Sequence, residues 1–269
     1  MRFLLLKNIV LLNFLILASQ VVAEEKSQFG CQKPVVVGLY EYGIMYSEKT
    51  KGGVDKETAE LLAKKTGCEI RFQVKPRARI WQEIETGDLD ITLSALKNSD
   101  REKFGAFIPY VTGKTLIVLE KSLTNVSSLE DILDLYPSKR VNVGVVRSFS
   151  YGEEVDSFLR KASAKGMVIE FPDMASLFEG VEKKQVKVTF GTAALLPDYL
   201  KQYKILDKII IKDITKQQFQ AHVVLSRKRF KDSEIENWKK VIREVKSNGE
   251  LEKIFLSYLP RDVINRYRN

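Results

Sequence analysis

Pro34-Val35-Val36-Val37-Gly38-Leu39-Tyr40-Glu41-Tyr42 is an apolar run that breaks off into aromatic and acidic residues. An uninterrupted apolar run of this length reads as a strand buried on both faces, the signature of a parallel sheet covered by helices. The next sixty residues support that reading. Asp55 is placed to cap a helix to about Lys65, with Leu61 and Leu62 facing inward and Gly67 ending it. Glu69 to Val74 reads as strand, Arg79 to Thr86 as a short helix with Ile80, Trp81 and Ile84 on one side, and Leu89 to Leu96 as strand. The order β-α-β-α-β predicts an α/β fold with helices on the faces of a mostly parallel sheet.

The rhythm pauses and then restarts. Leu116 to Leu119 reads as strand, Ser128-Leu129-Glu130-Asp131 opens a short helix, and Pro137-Ser138 breaks the chain. Then come strand Val141 to Val146, a helix from Gly152 to about Ala164, strand Met167 to Phe171, and a helix capped by Asp173. Strand Val186 to Phe190, a helix from Ala194 to Tyr203 and short strands at Ile209 to Ile211 and Val223 to Leu225 complete the second unit. Helices from Asp232 to Ser247 and from Glu250 to Tyr258 form a tail. Two α/β units are strung in series, and no internal repeat or low-complexity linker separates them.

Met1 to Ala23 carries Arg2 and Lys7, then an apolar run from Ile9 to Leu17, then Val21 and Ala23 as the small residues of a cleavage site. This order is that of a secretory signal peptide, and the run is shorter than the ~20 residues that span a bilayer; a membrane anchor is the alternative. Cleavage after Ala23 takes 23 of the 269 residues and leaves 246, enough for two lobes of ordinary size. No later segment is apolar enough to span, so membrane insertion of the mature chain is not expected. The formal charge of +9 becomes +7 without Arg2 and Lys7. The remaining lysines mix with glutamates along helices, as solvated faces do, and an exported chain is a poor candidate for nucleic acid.

Cys31 and Cys68 are the two cysteines. Each precedes a strand-like run; if those strands are parallel neighbours, both thiols lie at one sheet edge and can pair in an oxidising compartment. Two inert buried thiols are the alternative. With a single histidine, His222, which reads as structural in its apolar strand, no standard zinc site is expected and no cofactor is implied.

Ligands of open α/β sheets bind beyond the carboxyl ends of the strands. Here those ends are Tyr40-Glu41-Tyr42, Pro76-Arg77, Ser94-Ala95-Leu96 and Arg147-Ser148-Phe149-Ser150-Tyr151. Arginines, hydroxyls and aromatics in that place suit a small polar or anionic ligand.

At these residues the chain resembles the family-3 extracellular solute-binding proteins, the amino-acid type of periplasmic receptor for ABC transporters. Gly52-Gly53-Val54-Asp55, Glu85-Thr86-Gly87-Asp88-Leu89-Asp90, and Ser94 to Tyr110 with Asp100-Arg101-Glu102 carry the likeness, in order. Val143-Gly144-Val145-Val146-Arg147 and Asn248-Gly249 with Ile254-Phe255 extend it over nearly all of the mature chain. Pro76 to Trp81, Pro-Arg-Ala-Arg-Ile-Trp, is similar to one branch of the family whose ligands are undefined. The resemblance implies a two-lobed type II periplasmic-binding-protein fold. Residues 24–113 are expected to begin lobe 1, residues 114–220 to form lobe 2, and residues 221–269 to return to lobe 1. Two hinge strands would join the lobes, near Val111 to Thr115 and Phe219 to Val223.

The resemblance also assigns roles. Arg101 matches the arginine that grips a ligand carboxylate, a task its two-pronged guanidinium suits; a surface arginine beside Asp100 and Glu102 is the alternative. Backbone N–H groups near Phe149 to Tyr151, at a helix start, would meet the same carboxylate, unless Ser148 and Ser150 are simple caps. Arg77 falls where relatives place an aromatic that stacks on the ligand; it would stack, bind a second anionic group, or tether the loop by a salt bridge. Trp81 reads as core. Tyr40, Glu41 and Tyr46 lie in a ligand-contacting loop, with Glu41 able to receive an ammonium group. Ser94 and Arg147 complete the candidate set. Two positions depart from the family: Thr192 stands where an aspartate usually pairs with the α-ammonium, and Leu96 where a hydroxyl helps to hold the carboxylate.

The expected activity is capture of a small carboxylate-bearing solute and delivery to a transporter permease by a non-enzymatic monomer. A sensor feeding a separate membrane signalling chain is a second reading. A cyclohexadienyl-dehydratase-like enzyme is a third, with Glu41 as its one placeable acid.

Overall fold

The computed structural model describes residues 27–136 and 140–265, so the leader and the break at Pro137-Ser138 lie outside the described residues. In chain order the elements are β1 (Val35–Leu39), α1 (Val54–Thr66), β2 (Ile70–Val74), α2 (Arg77–Thr86), β3 (Ile91–Leu96), α3 (Ser99–Glu102) and β4 (Gly105–Glu120). Then come α4 (Leu129–Asp134), β5 (Val143–Val146), α5 (Glu153–Ala164), β6 (Val168–Phe171), α6 (Met174–Glu182), β7 (Val188–Thr192), α7 (Leu196–Gln202) and β8 (Ile209–Lys212). β9 (Gln218–Ser226), α8 (Asp232–Ser247), α9 (Glu250–Tyr258) and α10 (Arg261–Asn265) close the chain.

Each half is a small sheet with a parallel centre. In the first, β1 pairs in parallel with β2 and with β3, and β9 and then β4 add antiparallel. In the second, β5 pairs in parallel with β6 and β7, and β7 and β8 flank β4 antiparallel. β4 belongs to both. Its Gly105–Lys114 portion pairs with β9, and Thr115–Leu119 pairs with β7. One 16-residue strand thus contains both the expected strand at Leu116 to Leu119 and the expected crossing at Val111 to Thr115, because it is paired along its course and its buried residues largely alternate. This is the two-lobed type II architecture.

The first lobe buries Val35, Val37, Leu39, Leu93 and Ile108 against α8, whose Trp238 also donates from Nε1 to the Phe29 carbonyl at 3.0 Å. The second lobe has its own core around Ile117, Val143, Phe158 and Phe190. Asp173 caps α6 by accepting from Ser176 N at 2.7 Å. His222 is buried, with Nδ1 3.1 Å from the Ala95 carbonyl.

Two local readings are corrected. Asp55 does not cap α1: the cap is Gly53, at φ 144°, and a Cβ there would sit 2.5 Å from the Met45 carbonyl oxygen. The helix therefore starts one residue before Asp55 and turns its carboxylate into the core. α2 starts at Arg77 rather than Arg79, since Pro76 already supplies the extended entry.

Cys31 and Cys68 form a disulfide with Cα atoms 5.5 Å apart, and β1 and β2 are indeed parallel neighbours, with Val35 opposite Ile70. The bond closes a 37-residue separation. Replacing both cysteines by serine should lower the unfolding free energy by about 2–4 kcal/mol in urea melts. Wild type in excess reductant should fall to the same value, and no loss in either would show that α1 and its strands are held without the crosslink.

Candidate functional site

The site is assembled from three turns at carboxyl ends of strands. The first holds Arg77. Buried Glu83 takes Lys75 and Arg79 from either side, the latter at 2.6 Å, which pins the first turn of α2. Arg77 lies between them in sequence and is 5% exposed. Its Nη1 donates to Thr92 Oγ1 at 3.1 Å and to the Leu93 carbonyl at 3.4 Å, and its Nη2 to the Ser94 carbonyl at 3.4 Å. The ring of Tyr40 lies 4.3 Å from its Cζ and that of Trp81 4.6 Å, so aromatics pack on the flat cation.

The second turn holds Ser94. β3 shifts register against β9 between Thr92 and Ala95, and Ser94 takes φ 50°. A bulge re-aims its residue, and here it turns the Ser94 carbonyl to Arg77 and to Tyr40 Oη, the latter at 3.2 Å. The Ser94 hydroxyl and Tyr110 Oη each donate to Asp55 Oδ1 at 2.9 Å. Burial raises the Asp55 carboxyl to about 7, against the two hydrogen bonds and the Arg77 charge, which pull it down.

The third turn holds Arg101, in α3. Asn98 caps that turn by accepting from Arg101 N at 2.9 Å. The guanidinium lies 4.1 Å from the Trp81 ring centre, donates weakly to the Leu96 carbonyl at 3.5 Å, and reaches the Ser148 carbonyl of the second lobe at 2.7 Å. Ser148 is itself at φ 62°, which turns that carbonyl toward the cleft. Burial lowers Arg101 to about 10, helped by the like charge of Arg77, while Asp156 and Tyr40 oppose the shift. Phe149 follows and meets Tyr40 and Tyr42 edge-on, at 5.6 and 5.3 Å.

These turns face one cavity of about 300 Å³ between the lobes. Of the expected residues, Tyr40, Arg77, Ser94, Leu96, Arg101, Phe149, Ser150, Tyr151 and Thr192 line it. Ser148 takes part through its carbonyl only. Glu41, Tyr46 and Arg147 are not in the wall. Glu41 accepts from Glu48 N at 2.7 Å, which ties its own loop. Tyr46 is buried in the first lobe's core, and the exposed Arg147 pairs with Glu170 at 3.2 Å.

Two N–H groups of the expected anion cradle at residues 149–151 are already engaged. Phe149 N donates to the Val146 carbonyl at 3.1 Å and Tyr151 N to Asp156 Oδ1 at 2.8 Å, while Ser150 Oγ bonds the other Asp156 oxygen. A helix start attracts a carboxylate, and here the chain supplies its own from one turn inside α5. Arg77 has no salt bridge among the described residues, and it ties its turn to β3 by hydrogen bonds instead.

Sequence reasoning missed Tyr110, Met174, Phe190 and Phe219 and gave no role to Tyr42, named only as part of a strand end, though all are in the wall. Tyr42 was legible, since residues two apart on an extended segment share a side and Tyr40 was chosen. The others come from distant elements.

Residues 36–261 match the bacterial extracellular solute-binding proteins, family 3. The chain belongs to that family. Among its relatives is a "probable histidine-binding protein" of Neisseria gonorrhoeae, 22% identical over 229 residues, which cover 82% of this chain and 81% of that protein. An ancestral arginine-binding protein bound to arginine superposes with a TM-score of 0.71 at 21% identity, covering 86% of this chain and all of that one. A histidine kinase sensor domain with similarity to periplasmic binding proteins superposes at 0.70 and 13% identity, covering 85% and 97% of the two chains. Among the described residues no helix is long and apolar enough to cross a membrane.

The raised Asp55 carboxyl carries a pH signature. The folded chain holds a proton there that the unfolded chain, at 3.8, has released. Its contribution to stability is full below 3.8 and is lost as the pH rises to about 7. Asp55→Asn should flatten the fall in melting temperature of wild type over that window. A carboxyl carbon resonance titrating near 4 instead would show that the Ser94 and Tyr110 hydrogen bonds outweigh burial.

Proposed function

We propose that this protein is a periplasmic receptor that closes on a small carboxylate-bearing solute, an amino acid or a related compound, and presents it to an ABC transporter permease. The observation that carries this reading is Arg101. It stands on the first lobe, reaches the second, lines the cavity, and has no carboxylate partner among the described residues. The guanidinium has five N–H donors. Two are engaged here, both by carbonyls, which leaves donors for a bidentate carboxylate.

The relatives lend support, since those that bind arginine and histidine take solutes that share an α-carboxylate. β4 and β9, which connect the lobes, are the hinge, with boundaries near residues 113/114 and 220/221. Contacts complete only in the closed form favour closure. The leader ending at Ala23 directs the chain to the periplasm, where the Cys31–Cys68 bond is stable and the mature chain acts as a monomer without cofactor.

A sensor reading has one specific support, the superposition on the histidine kinase sensor domain. In that case the partner is a signalling protein rather than a permease, and the site acts in the same way. We infer a binder rather than an enzyme, because Glu41, the one acid the sequence placed at the site for such chemistry, is spent on the Glu48 N–H outside the cavity wall.

A panel of amino acids and organic acids should contain solutes that raise the melting temperature, by mass action on the native state. Arg101→Lys keeps the charge but loses the fork, and should weaken such a solute by about tenfold or more, in line with ~1.5–3 kcal/mol for a charged hydrogen bond. Equal affinity in wild type and variant would remove Arg101 from the site.

A further inference from the structure

Two arginines face one small cavity whose one lining acid among the described residues, Glu252, pairs with Arg261 at 3.8 Å. Arg77 and Arg101 stand on the same indole, with their Cζ atoms 4.6 and 4.1 Å from the Trp81 ring centre. They are therefore no farther apart than those two distances laid end to end. Among the described residues neither has a salt-bridge partner, and the Trp81 Nε1–H, also buried, has no hydrogen-bond partner.

The nearby acids Asp55 and Asp156 act on the two arginines only across space, their carboxyl groups being hydrogen-bonded to other groups. Asp55 is bound by Ser94 and Tyr110, and Asp156 by Ser150 and Tyr151 N. Lys114, one of two lysines in the wall beside Lys246, is matched by Asp213 at 2.7 Å. The second lobe offers Thr192 where an acid would balance an ammonium group. Like charges buried side by side without a direct ion pair are costly, and an anion that reaches both lowers that cost.

We propose that the solute carries two separated acidic groups, one held by Arg101 and the other by Arg77. This deepens the carboxylate-receptor reading and rests on it. The geometry limits how Arg77 takes part. Tyr40 and Trp81 pack against the guanidinium, and Nη1 is spent on Thr92 and Leu93. Only edge donors remain, Nε–H and the rest of Nη2, and an edge-on pair of donors is what a carboxylate accepts. A cavity of about 300 Å³ is at the lower end of small-molecule sites and suits a short dicarboxylate. A cationic side chain, by contrast, would enter beside two guanidiniums that hold no salt bridge among the described residues.

The test uses matched pairs that differ only in the second acid. The secreted chain is titrated calorimetrically with L-glutamate against L-glutamine, succinate against succinamate, and glutarate against glutaramate. The expected result is that in at least one pair the diacid binds tenfold or more tighter than its amide, and that Arg77→Met brings the two within twofold. Arg77 is buried, so each variant is checked by circular dichroism; if the methionine variant does not fold, Arg77→Lys and the wild-type pairs decide, the lysine variant narrowing the gap. Amides or L-arginine and L-histidine binding as tightly as the diacids, with that binding lost in Arg101→Lys, overturns the dianion and leaves the receptor reading standing. No binding by any carboxylate overturns both.

Discussion

One indole organises the site. Trp81 is buried between α2 and the sheet, with Phe107 stacked at 6.2 Å, and the two arginines of the cleft rest against it. A flat aromatic surface lets a guanidinium lose water on its faces while its edge donors stay available. That is how this chain keeps two cations inside a mostly apolar wall without spending them on salt bridges. Three features of the first lobe support that placement. Glu83 pins the turn before Trp81, the Ser94 bulge brings a carbonyl to Arg77, and Asn98 fixes the turn from which Arg101 rises.

The second lobe contributes mainly backbone and apolar surface. Ser148 offers a carbonyl, Phe149 offers an edge to two tyrosines, and Asp156 fills the helix start that would otherwise attract an anion. The polar selectivity of the cleft is thus concentrated on the first lobe, and the second lobe completes and encloses it. Such an arrangement fits a clamp in which a solute docks on one face before the other arrives, since one lobe already holds the strong donors.

The parts legible in the chain were those set by local pattern. The buried run at Val35 to Leu39, the capped helices, and the restart at Val141 each follow from periodicity and turn chemistry, and they predict the two α/β units. The pairing of Cys31 with Cys68 followed from their shared position before parallel strands. Arg101, Arg77 and Ser94 followed from their place at strand ends in a segment that resembles a family pattern. The errors were of the opposite kind. Asp55 reads as a cap by its residue type, yet the close approach of Gly53 to Met45 starts the helix earlier and sends the carboxylate inward.

The sequence by itself determined the architecture, because strand and helix periods are properties of neighbouring residues. It also determined which side chains stand at the carboxyl ends, because that depends on where strands stop. Only the tertiary structure decided what each of those side chains is free to do. Glu41 and Arg147 find partners on nearby loops and strands and leave the cavity. Asp156 takes the backbone donor of residue 151, and Trp81 gathers two arginines that are 24 positions apart in the chain. A group's availability for a ligand is set by which partners satisfy it first, and those partners are brought by folding from parts of the chain that no local pattern connects.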